Sequence, residues 1–207
     1  MPGFAVIIPA AGGSSRLGQP KQLVVFEEEP LVRRAARTAI ESGASQVIVV
    51  VGCAAQEVIQ ALDGIPVEII VNPNWQLGLG GSIRHGAEEI RRDVDAVVVT
   101  LCDMPRIPPG LLSDLADAVR SGNPPVAAAE YDCHLGPPCA FHSSQFAALR
   151  GLNGETGARA IIGMSPKVAM IEFPGGSCDI DTPEDVANLM RGWISSSKCD
   201  VERDRIS

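Results

Sequence analysis

Short apolar runs alternate with amphipathic segments along the chain. Five of these runs predict strands, at Phe4–Ile8, Gln46–Val51, Val67–Val71, Ala96–Leu101 and Val126–Ala129. Several runs are apolar on both faces, which is typical of a parallel sheet covered by helices on both sides. The pattern therefore predicts an α/β fold of three layers, with a Rossmann-like, mainly parallel sheet between two layers of helices.

Helical segments are predicted between the strands, at residues 30–43, 54–62, 82–91, 109–121 and 143–149. Pro30 suits a first helical turn, where a missing N–H costs nothing, and Gly43 suits a helix end. A last helix is predicted to open at Thr182, whose hydroxyl can cap it, followed by proline and two acidic residues. Asp181 therefore immediately precedes a helix.

The length fits a single domain. With 207 residues, of which 45% are hydrophobic, the chain can bury a substantial core. We expect one domain over residues 1–194. Residues 195–207 are polar and charged with little apolar patterning, which predicts a disordered tail.

Charge and composition exclude several classes of partner. The formal net charge of -8 argues against a protein that binds nucleic acid or an anionic membrane, so an anionic ligand would need a local positive pocket. No apolar run approaches the roughly 18 residues that span a bilayer, and we expect a cytoplasmic protein. The six cysteines form no C-x-x-C pair, which indicates neither a zinc site nor a redox motif, and we expect them to be reduced.

A glycine-rich segment follows the first predicted strand and offers a cradle for phosphates. Its backbone amides come from Ala10, Ala11, Gly12, Gly13 and Ser14, and its positive charges from Arg16 and Lys21. Gln19 stands where a P-loop has lysine, and no G-x-G-x-x-G fingerprint is present. The alternative is an ordinary turn with two solvated cations.

Two acidic positions, distant in sequence, are candidates for a magnesium site. Asp103 follows the fourth predicted strand and precedes a chain-turning proline, and Asp181 stands before the last helix, with Asp179 as its possible support. Carboxylates that converge on one Mg²⁺ would bridge it to phosphate oxygens. A capping or turn role is the alternative for Asp103.

These motifs together resemble one enzyme family. The segment A-A-G-G-S-S-R-L-G-Q-P-K at 10–21 is similar to the opening signature of the MobA-like NTP transferases, which include the molybdenum cofactor cytidylyl- and guanylyltransferases. In that family the loop wraps the nucleotide, which implies that Arg16 and Lys21 hold its phosphates. C-D-M-P at 102–105 and D-I-D-T-P-E-D at 179–185 resemble signatures whose aspartates bind the catalytic magnesium, a role that would fall to Asp103 and Asp181.

A third region of resemblance concerns the base. Residues 78–86 resemble G-x-x-x-S-[LI]-x-x-G, with Gly78 and Ser82 at fixed positions. We expect Ser82 to open a helix and to offer its hydroxyl and amide to a pyrimidine or ribose, although a simple N-cap role remains open. Trp75 either stacks on a ligand or anchors its loop.

The remaining segments resemble the acceptor side of the family's site. Residues 134–141 are similar to H-x-G-x-P-x-x-F, and residues 154–159 are similar to G-D-x-G-A-R, with Glu155 in place of the usual aspartate. Arg159 is a candidate clamp for an acceptor phosphate, or else a solvated helix arginine.

The resemblance implies a Mg²⁺-dependent enzyme that moves a nucleoside monophosphate from an NTP onto a phosphorylated small molecule. The Ala-Ala-Gly opening is closer to the cytidylyl branch, which implies CTP as donor and a molybdopterin-type cofactor as acceptor, with a molybdoenzyme or its maturation factor as a partner. An isoprenoid-pathway cytidylyltransferase, which shares the P-A-A-G and P-K-Q segments, is the alternative within the class. A non-catalytic nucleotide-binding module that delivers cofactor is the alternative outside it.

Overall fold

The computed structural model of the protein describes residues 3–176 and 180–190. Within these ranges the strands are β1 (Gly3–Ala10), β2 (Val25–Phe26), β3 (Glu29–Pro30), β4 (Gln46–Val51), β5 (Glu68–Val71), β6 (Val94–Val99), β7 (Val126–Tyr131), β8 (His134–His142) and β9 (Val168–Glu172). The helices are α1 (Leu31–Glu41), α2 (Ala55–Ala61), α3 (Leu79–Glu88), α4 (Pro109–Val119), α5 (Phe146–Arg150), α6 (Arg159–Met164) and α7 (Pro183–Met190). Single 3₁₀ turns cover Lys21–Leu23, Trp75–Leu77 and Ser143–Gln145.

Seven of the strands form one sheet, in the order β5-β4-β1-β6-β8-β7-β9. β1 is parallel to both of its neighbours, β4 and β6, whereas β8 is antiparallel to β6 and β7. β2 and β3 form a separate antiparallel pair. The predicted mainly parallel sheet is confirmed, with β8 as its reversed strand.

Both faces of this sheet are buried under helices. Successive side chains of a strand point to opposite sides, so each strand contributes to two cores. Val6 and Ile8 of β1 belong to one core, which includes residues of α1 and α4. Ala5 and Ile7 belong to the other core, to which α3 contributes Ile83. The apolar runs without alternation thus have the predicted cause, and the three-layer fold is confirmed.

Several predicted boundaries need correction. Helix α3 begins at Leu79, three residues before Ser82, and β6 ends at Val99, before Leu101. β8, β9 and α6 were not predicted, whereas the strand at residues 46–51 has its predicted bounds. The predicted tail at 195–207 and the proposed support at Asp179 lie outside the described residues.

A third, smaller apolar cluster fastens the last helix to the front of the sheet. Ile180 and Leu189 pack there with residues of the glycine-rich segment and the β2–β3 region, namely Leu17, Val24, Phe26 and Leu31. This packing places Asp181 beside the glycine-rich segment, although 160 residues separate it from Lys21 in the sequence.

Cysteine chemistry differs from the expectation of reduced thiols at one position. Cys53, Cys102 and Cys139 are free, but Cys133 is disulfide-bonded. None of the helices in the described ranges is long and apolar enough to cross a bilayer.

Candidate active site

A cleft of about 550 Å³ opens at the carboxyl ends of β1 and β6. The strand order changes direction here: β4 and β5 follow β1 on one side of the sheet, and β6 lies next to β1 on the other side. Ligands of open α/β sheets gather at such switch points. The lining includes these candidates from the sequence: Ala11, Gly12, Gly13, Ser14, Arg16, Lys21, Gly78, Ser82, Asp103 and Asp181.

The glycine-rich segment forms a tight turn around Ser14. Ser14 has a positive φ of 51°, and its carbonyl oxygen accepts hydrogen bonds from the amides of Leu17 (3.0 Å) and Gly18 (3.2 Å). Its hydroxyl accepts a third hydrogen bond, from the amide of Lys21 at 3.0 Å. The turn thus fixes where the side chain of Lys21 starts. Ala10, the last residue of β1, is buried and does not line the cleft.

Gln22 supports this turn from behind, a role that the sequence motifs did not predict. Its side chain is 1% exposed, and its Nε2 donates to the carbonyl oxygens of Ala10 (2.9 Å) and Gly12 (2.8 Å). One amide group therefore ties the end of β1 to the turn. Its position directly after Lys21, in the shared P-K-Q segment, was the available signal.

Ion pairs connect the cations of the turn with the two predicted metal ligands. The ammonium of Lys21 contacts Oδ2 of Asp103 and lies 3.2 Å from Oδ1 of Asp181. Arg16, which is more exposed, places Nη2 2.8 Å from Oδ2 of Asp181. The structure therefore brings all four predicted side chains together.

The electrostatic balance of Lys21 favours its charged form. Burial opposes the charge and by itself lowers the pKa of Lys21, but the charge and hydrogen bond of Asp103 outweigh it, with a smaller contribution from Asp181. The pKa of Lys21 is therefore raised above its ordinary value. Lys21 is a permanent cation of the cleft at neutral pH.

The expected local excess of positive charge is not what the lining provides. Arg16 and Lys21 face three carboxylates of the cleft, those of Asp103, Glu155 and Asp181. A polyanion would meet a lining with a slight excess of negative charge, offset in part by backbone amides of the turn. One divalent cation would reverse that balance.

The acidic pair suits such a cation. Oδ1 of Asp103 is buried and has no hydrogen-bond partner among the described residues, so it is an oxygen with free coordination capacity. No group of three or more His, Cys, Asp or Glu side chains able to hold a metal occurs in the described part of the chain. Two carboxylates completed by phosphate oxygens and water are a usual environment for Mg²⁺.

Cys102 lines the cleft beside Asp103 but is a poor nucleophile. Burial, followed by the charge of Asp103, raises the pKa of the Cys102 thiol to about 12. Attack requires the thiolate, which is scarce at neutral pH with such a pKa.

The opposite wall carries Trp75 and Ser82. A Cβ added to Gly13 would lie 3.1 Å from the Trp75 ring, and one added to Gly52 would lie 2.5 Å from Trp75 Cβ. Trp75 therefore anchors its turn against two glycines and also faces the cleft. The expectation that Ser82 opens α3 is wrong, because Ser82 lies one turn inside this helix. Its hydroxyl accepts a hydrogen bond from Asn72 Nδ2 at 3.1 Å.

The two segments assigned to the acceptor side occupy different places. Glu155 lines the cleft, next to the start of α3. Arg159, the first residue of α6, is exposed and lies near Gly136 of β8, outside the cleft lining. His134, at the start of β8, also lies outside it.

A capping box holds the chain at Asp181. The amide of Asp185 donates to the Thr182 hydroxyl (3.2 Å), and the Asp185 carboxylate accepts from the amides of Asp181 (3.0 Å) and Thr182 (2.7 Å). The predicted cap of the last helix is confirmed. It also fixes the backbone of a candidate metal ligand.

Comparisons with known proteins give a consistent family. The model of the MobA-like NTP transferase domain matches residues 6–168. The chain is similar to nicotine blue oxidoreductase of Paenarthrobacter nicotinovorans, with 28% identity over 202 residues that cover 92% of this chain and 98% of the relative.

Solved structures share the fold over nearly the whole chain. Rv0371c from Mycobacterium tuberculosis superposes with a TM-score of 0.79 and 26% identity, over 91% of this chain and 98% of that protein. Its complex with manganese superposes with a TM-score of 0.77 and 23% identity, over 92% of this chain and 100% of that protein. CMP:2-keto-3-deoxy-manno-octonic acid synthetase complexed with CTP superposes with a TM-score of 0.73, at 16% identity over 91% and 97%, a likeness of fold.

Proposed function

Because the chain belongs to the MobA-like NTP transferase family, we propose that it transfers CMP from CTP onto a phosphorylated small molecule and releases pyrophosphate. A molybdopterin-type cofactor is the proposed acceptor, and a molybdoenzyme or its maturation factor the proposed partner. We place the reaction in the cytoplasm with Mg²⁺ as the metal. The carrying observation is the convergence of Arg16, Lys21, Asp103 and Asp181 on one cleft.

The proposed reaction needs no protein nucleophile. An oxygen of the acceptor phosphate attacks the α-phosphorus of CTP, a new P–O bond forms, and the bond to the β-phosphate bridging oxygen breaks as pyrophosphate leaves. The chain has to align the two substrates and stabilise charge on the leaving group. The protonated thiol of Cys102 is consistent with direct transfer.

The residues of the turn have distinct tasks in this scheme. Backbone amides of 12–15 approach phosphate oxygens, and the ammonium of Lys21, fixed at its base by Ser14, offers a positive charge from inside the cleft. Arg16 reaches in from solvent, with 72% of its side chain exposed, so we assign it to the outermost phosphate.

Asp103 and Asp181 would hold the metal, which when bound neutralises phosphate charge and orients the leaving group. The unpartnered oxygen of Asp103 and the slight negative excess of the cleft lining both support a metal requirement. A manganese complex is known for the mycobacterial protein Rv0371c.

Ser82 and Trp75 are proposed to select the base. Ser82 lines the cleft and its hydroxyl accepts a hydrogen bond from Asn72, and the Trp75 ring lies against the backbone of the turn. The Ala-Ala-Gly opening and the CTP complex of a protein with the same fold favour cytosine. Glu155 would face the acceptor side.

Ligand binding with each candidate nucleotide tests this assignment. Mg²⁺-CTP should raise the unfolding midpoint more than Mg²⁺-GTP at equal concentration, because a ligand that binds only the native state stabilises it by mass action. A nicotinamide dinucleotide belongs in the comparison, since one relative is named an oxidoreductase. Equal or greater stabilisation by GTP would remove the cytidylyl assignment, and stabilisation by the dinucleotide alone would replace nucleotidyl transfer.

A further inference from the structure

The cation that the turn offers to a triphosphate is held by the proposed metal ligands. Lys21 contacts Oδ2 of Asp103 and Oδ1 of Asp181, and Arg16 takes the second oxygen of Asp181. Three of the four carboxylate oxygens thus have a cationic partner. The fourth, Oδ1 of Asp103, has none among the described residues.

A divalent ion bound to both carboxylates would share them with the Lys21 ammonium, because only Oδ1 of Asp103 lacks a cationic partner among the described residues. An ion that bridges Asp103 and Asp181 would lie next to the ammonium that bridges them here. Like charges repel strongly where water screens them poorly, and the side chains of Lys21 and Asp103 are only 23% and 9% exposed. The Lys21 ammonium should therefore weaken the binding of a divalent ion to Asp103 and Asp181, and a bound ion should displace the ammonium.

Lys21 can leave the pair only by rotation about its side-chain bonds. Its amide is bonded to Ser14, its carbonyl oxygen accepts from the amide of Val24 at 3.1 Å, and the next residue, Gln22, is buried. The ammonium therefore stays within reach of the cleft. A triphosphate bound against the turn would offer it new anionic partners.

We propose that Lys21 excludes free divalent metal from the Asp103–Asp181 pair and releases the pair when a triphosphate draws its ammonium away. Metal and nucleotide then bind as a cooperative pair, each raising the affinity for the other by the same factor. The exclusion of free metal follows from the ion pairs alone, whereas the release by triphosphate rests on the proposed function.

Removal of the lysine should leave the acidic pair in place. The amide of Ile180 donates to the carbonyl oxygen of Asp103 at 3.1 Å, and Ile180 and Leu189 pack in the apolar cluster beneath Asp181. The Asp185 capping box holds Asp181 from the other side. A change in metal affinity would therefore report competition rather than loss of the site.

Free Mn²⁺, followed by electron paramagnetic resonance without nucleotide, tests the exclusion. Lys21→Met should bind Mn²⁺ about tenfold tighter or more than wild type, because a competing charge is gone. Arg16→Met is the matched control, since Arg16 also pairs with Asp181 but is 72% exposed and contacts no oxygen of Asp103 in the described ion pairs, and it should gain much less. The gain should disappear in Lys21→Met/Asp103→Asn.

CTP added without acceptor tests the release. It should tighten Mn²⁺ binding to the wild type about tenfold or more, and to Lys21→Met by a smaller factor. Circular dichroism checks the fold of each variant, and Lys21→Gln replaces Lys21→Met if that protein does not fold.

Mn²⁺ binding to the folded lysine variant that is no tighter than to wild type would overturn the proposal, as would a gain that survives the loss of Asp103. Tighter Mn²⁺ binding to Lys21→Met, together with no binding of CTP to the wild type, would uphold the exclusion of free metal and count against the proposed function instead.

Discussion

The backbone amide of Gly80 donates a hydrogen bond to the carbonyl oxygen of Gly154 at 2.9 Å. This bond joins the first turn of α3 to the segment that carries Glu155, so the proposed base wall and the proposed acceptor wall of the cleft are one continuous backbone surface. Gly78 takes part in the same contact, because a Cβ added there would lie 2.3 Å from the Gly154 oxygen. Small residues at the start of α3 are therefore a requirement of the site.

Gly80→Ala should destabilise the protein by about 1–3 kcal/mol and weaken CTP binding, because the new methyl group forces the two walls apart. It would lie 2.5 Å from the carbonyl oxygen of Thr156 and 2.7 Å from that of Asn153. Chemical denaturation and calorimetry measure both effects. Gly110→Ala in α4 is the control: its methyl group would meet no atom within 4 Å, and it should be neutral or slightly stabilising. Equal behaviour of the two variants would refute the shared-wall account.

Gln22→Met should lower the free energy of unfolding by about 1–3 kcal/mol, because the carbonyl oxygens of Ala10 and Gly12 lose a buried donor. CTP affinity should fall as well, since the turn is no longer held. Gln76→Met, at an exposed position of the same cleft, is the control and should leave stability nearly unchanged. Thermal unfolding and CTP titration of both variants decide the point. A turn that keeps full CTP affinity without Gln22 would be held by other contacts.

Arg16→Ala and Lys21→Ala should weaken Mg²⁺-CTP binding more than CMP binding, because the proposed partners of both side chains are chiefly the β- and γ-phosphates, which CMP lacks. Each lost charge-assisted contact should cost roughly 1.5–3 kcal/mol, or about tenfold to a hundredfold in affinity. Lys21→Ala should lie at the upper end, since Lys21 is less exposed than Arg16. Calorimetry with CTP and CMP measures the difference. Equal weakening toward both nucleotides would mean that the turn does not hold the triphosphate.

Asp185→Ala should reduce stability at neutral pH but have little effect in acid. Burial opposes ionisation, but hydrogen bonds from Thr182 and from the amides of Asp181 and Thr182 prevail, and the pKa of Asp185 is lowered from 3.8. The ionised carboxylate therefore stabilises the native state fully above pH 3.8, and this contribution is lost as the pH falls through the native pKa. Denaturation at pH 7 and at about pH 3 should show a gap between wild type and variant that narrows. Glu184→Ala is the control, since Glu184 is exposed and has no side-chain hydrogen bond among the described residues. A difference in free energy of unfolding between wild type and Asp185→Ala that does not change with pH would contradict the capping role.

Sequence patterns predicted the parts of the fold whose signals are local. The run at residues 46–51 is apolar throughout and has its predicted bounds, because a strand buried on both faces needs no partner information to be recognised. β8 was missed because Pro137 and Pro138 indicate a loop, whereas this strand tolerates them next to a register shift at Ala128 and Ala129 of β7.

The candidate site shows the same division. Asp103 follows a predicted strand and Asp181 precedes a predicted helix, and the two were expected to converge on one metal ion. The structure places both beside Lys21. Ser82 was expected to open α3, but Gly78, with a φ of 113°, allows the chain to enter the helix earlier against Gly154. Contacts of this kind depend on a segment more than 70 residues away in the sequence, which no local pattern contains.

Transfer of label from [α-³²P]CTP tests the central claim most directly. Wild-type protein with Mg²⁺ and a panel of phosphorylated pterins and alditols should move the label onto one acceptor and release unlabelled pyrophosphate in equal amount. Asp103→Asn and Asp181→Asn should fold normally and lose about a hundredfold or more in turnover, because each removes a charged ligand of the metal that would stabilise the negative charge of the transition state. Label transfer at wild-type rates in both variants would contradict the metal site. No transfer of label from CTP, or from GTP in its place, to any acceptor of the panel would contradict the proposed enzyme.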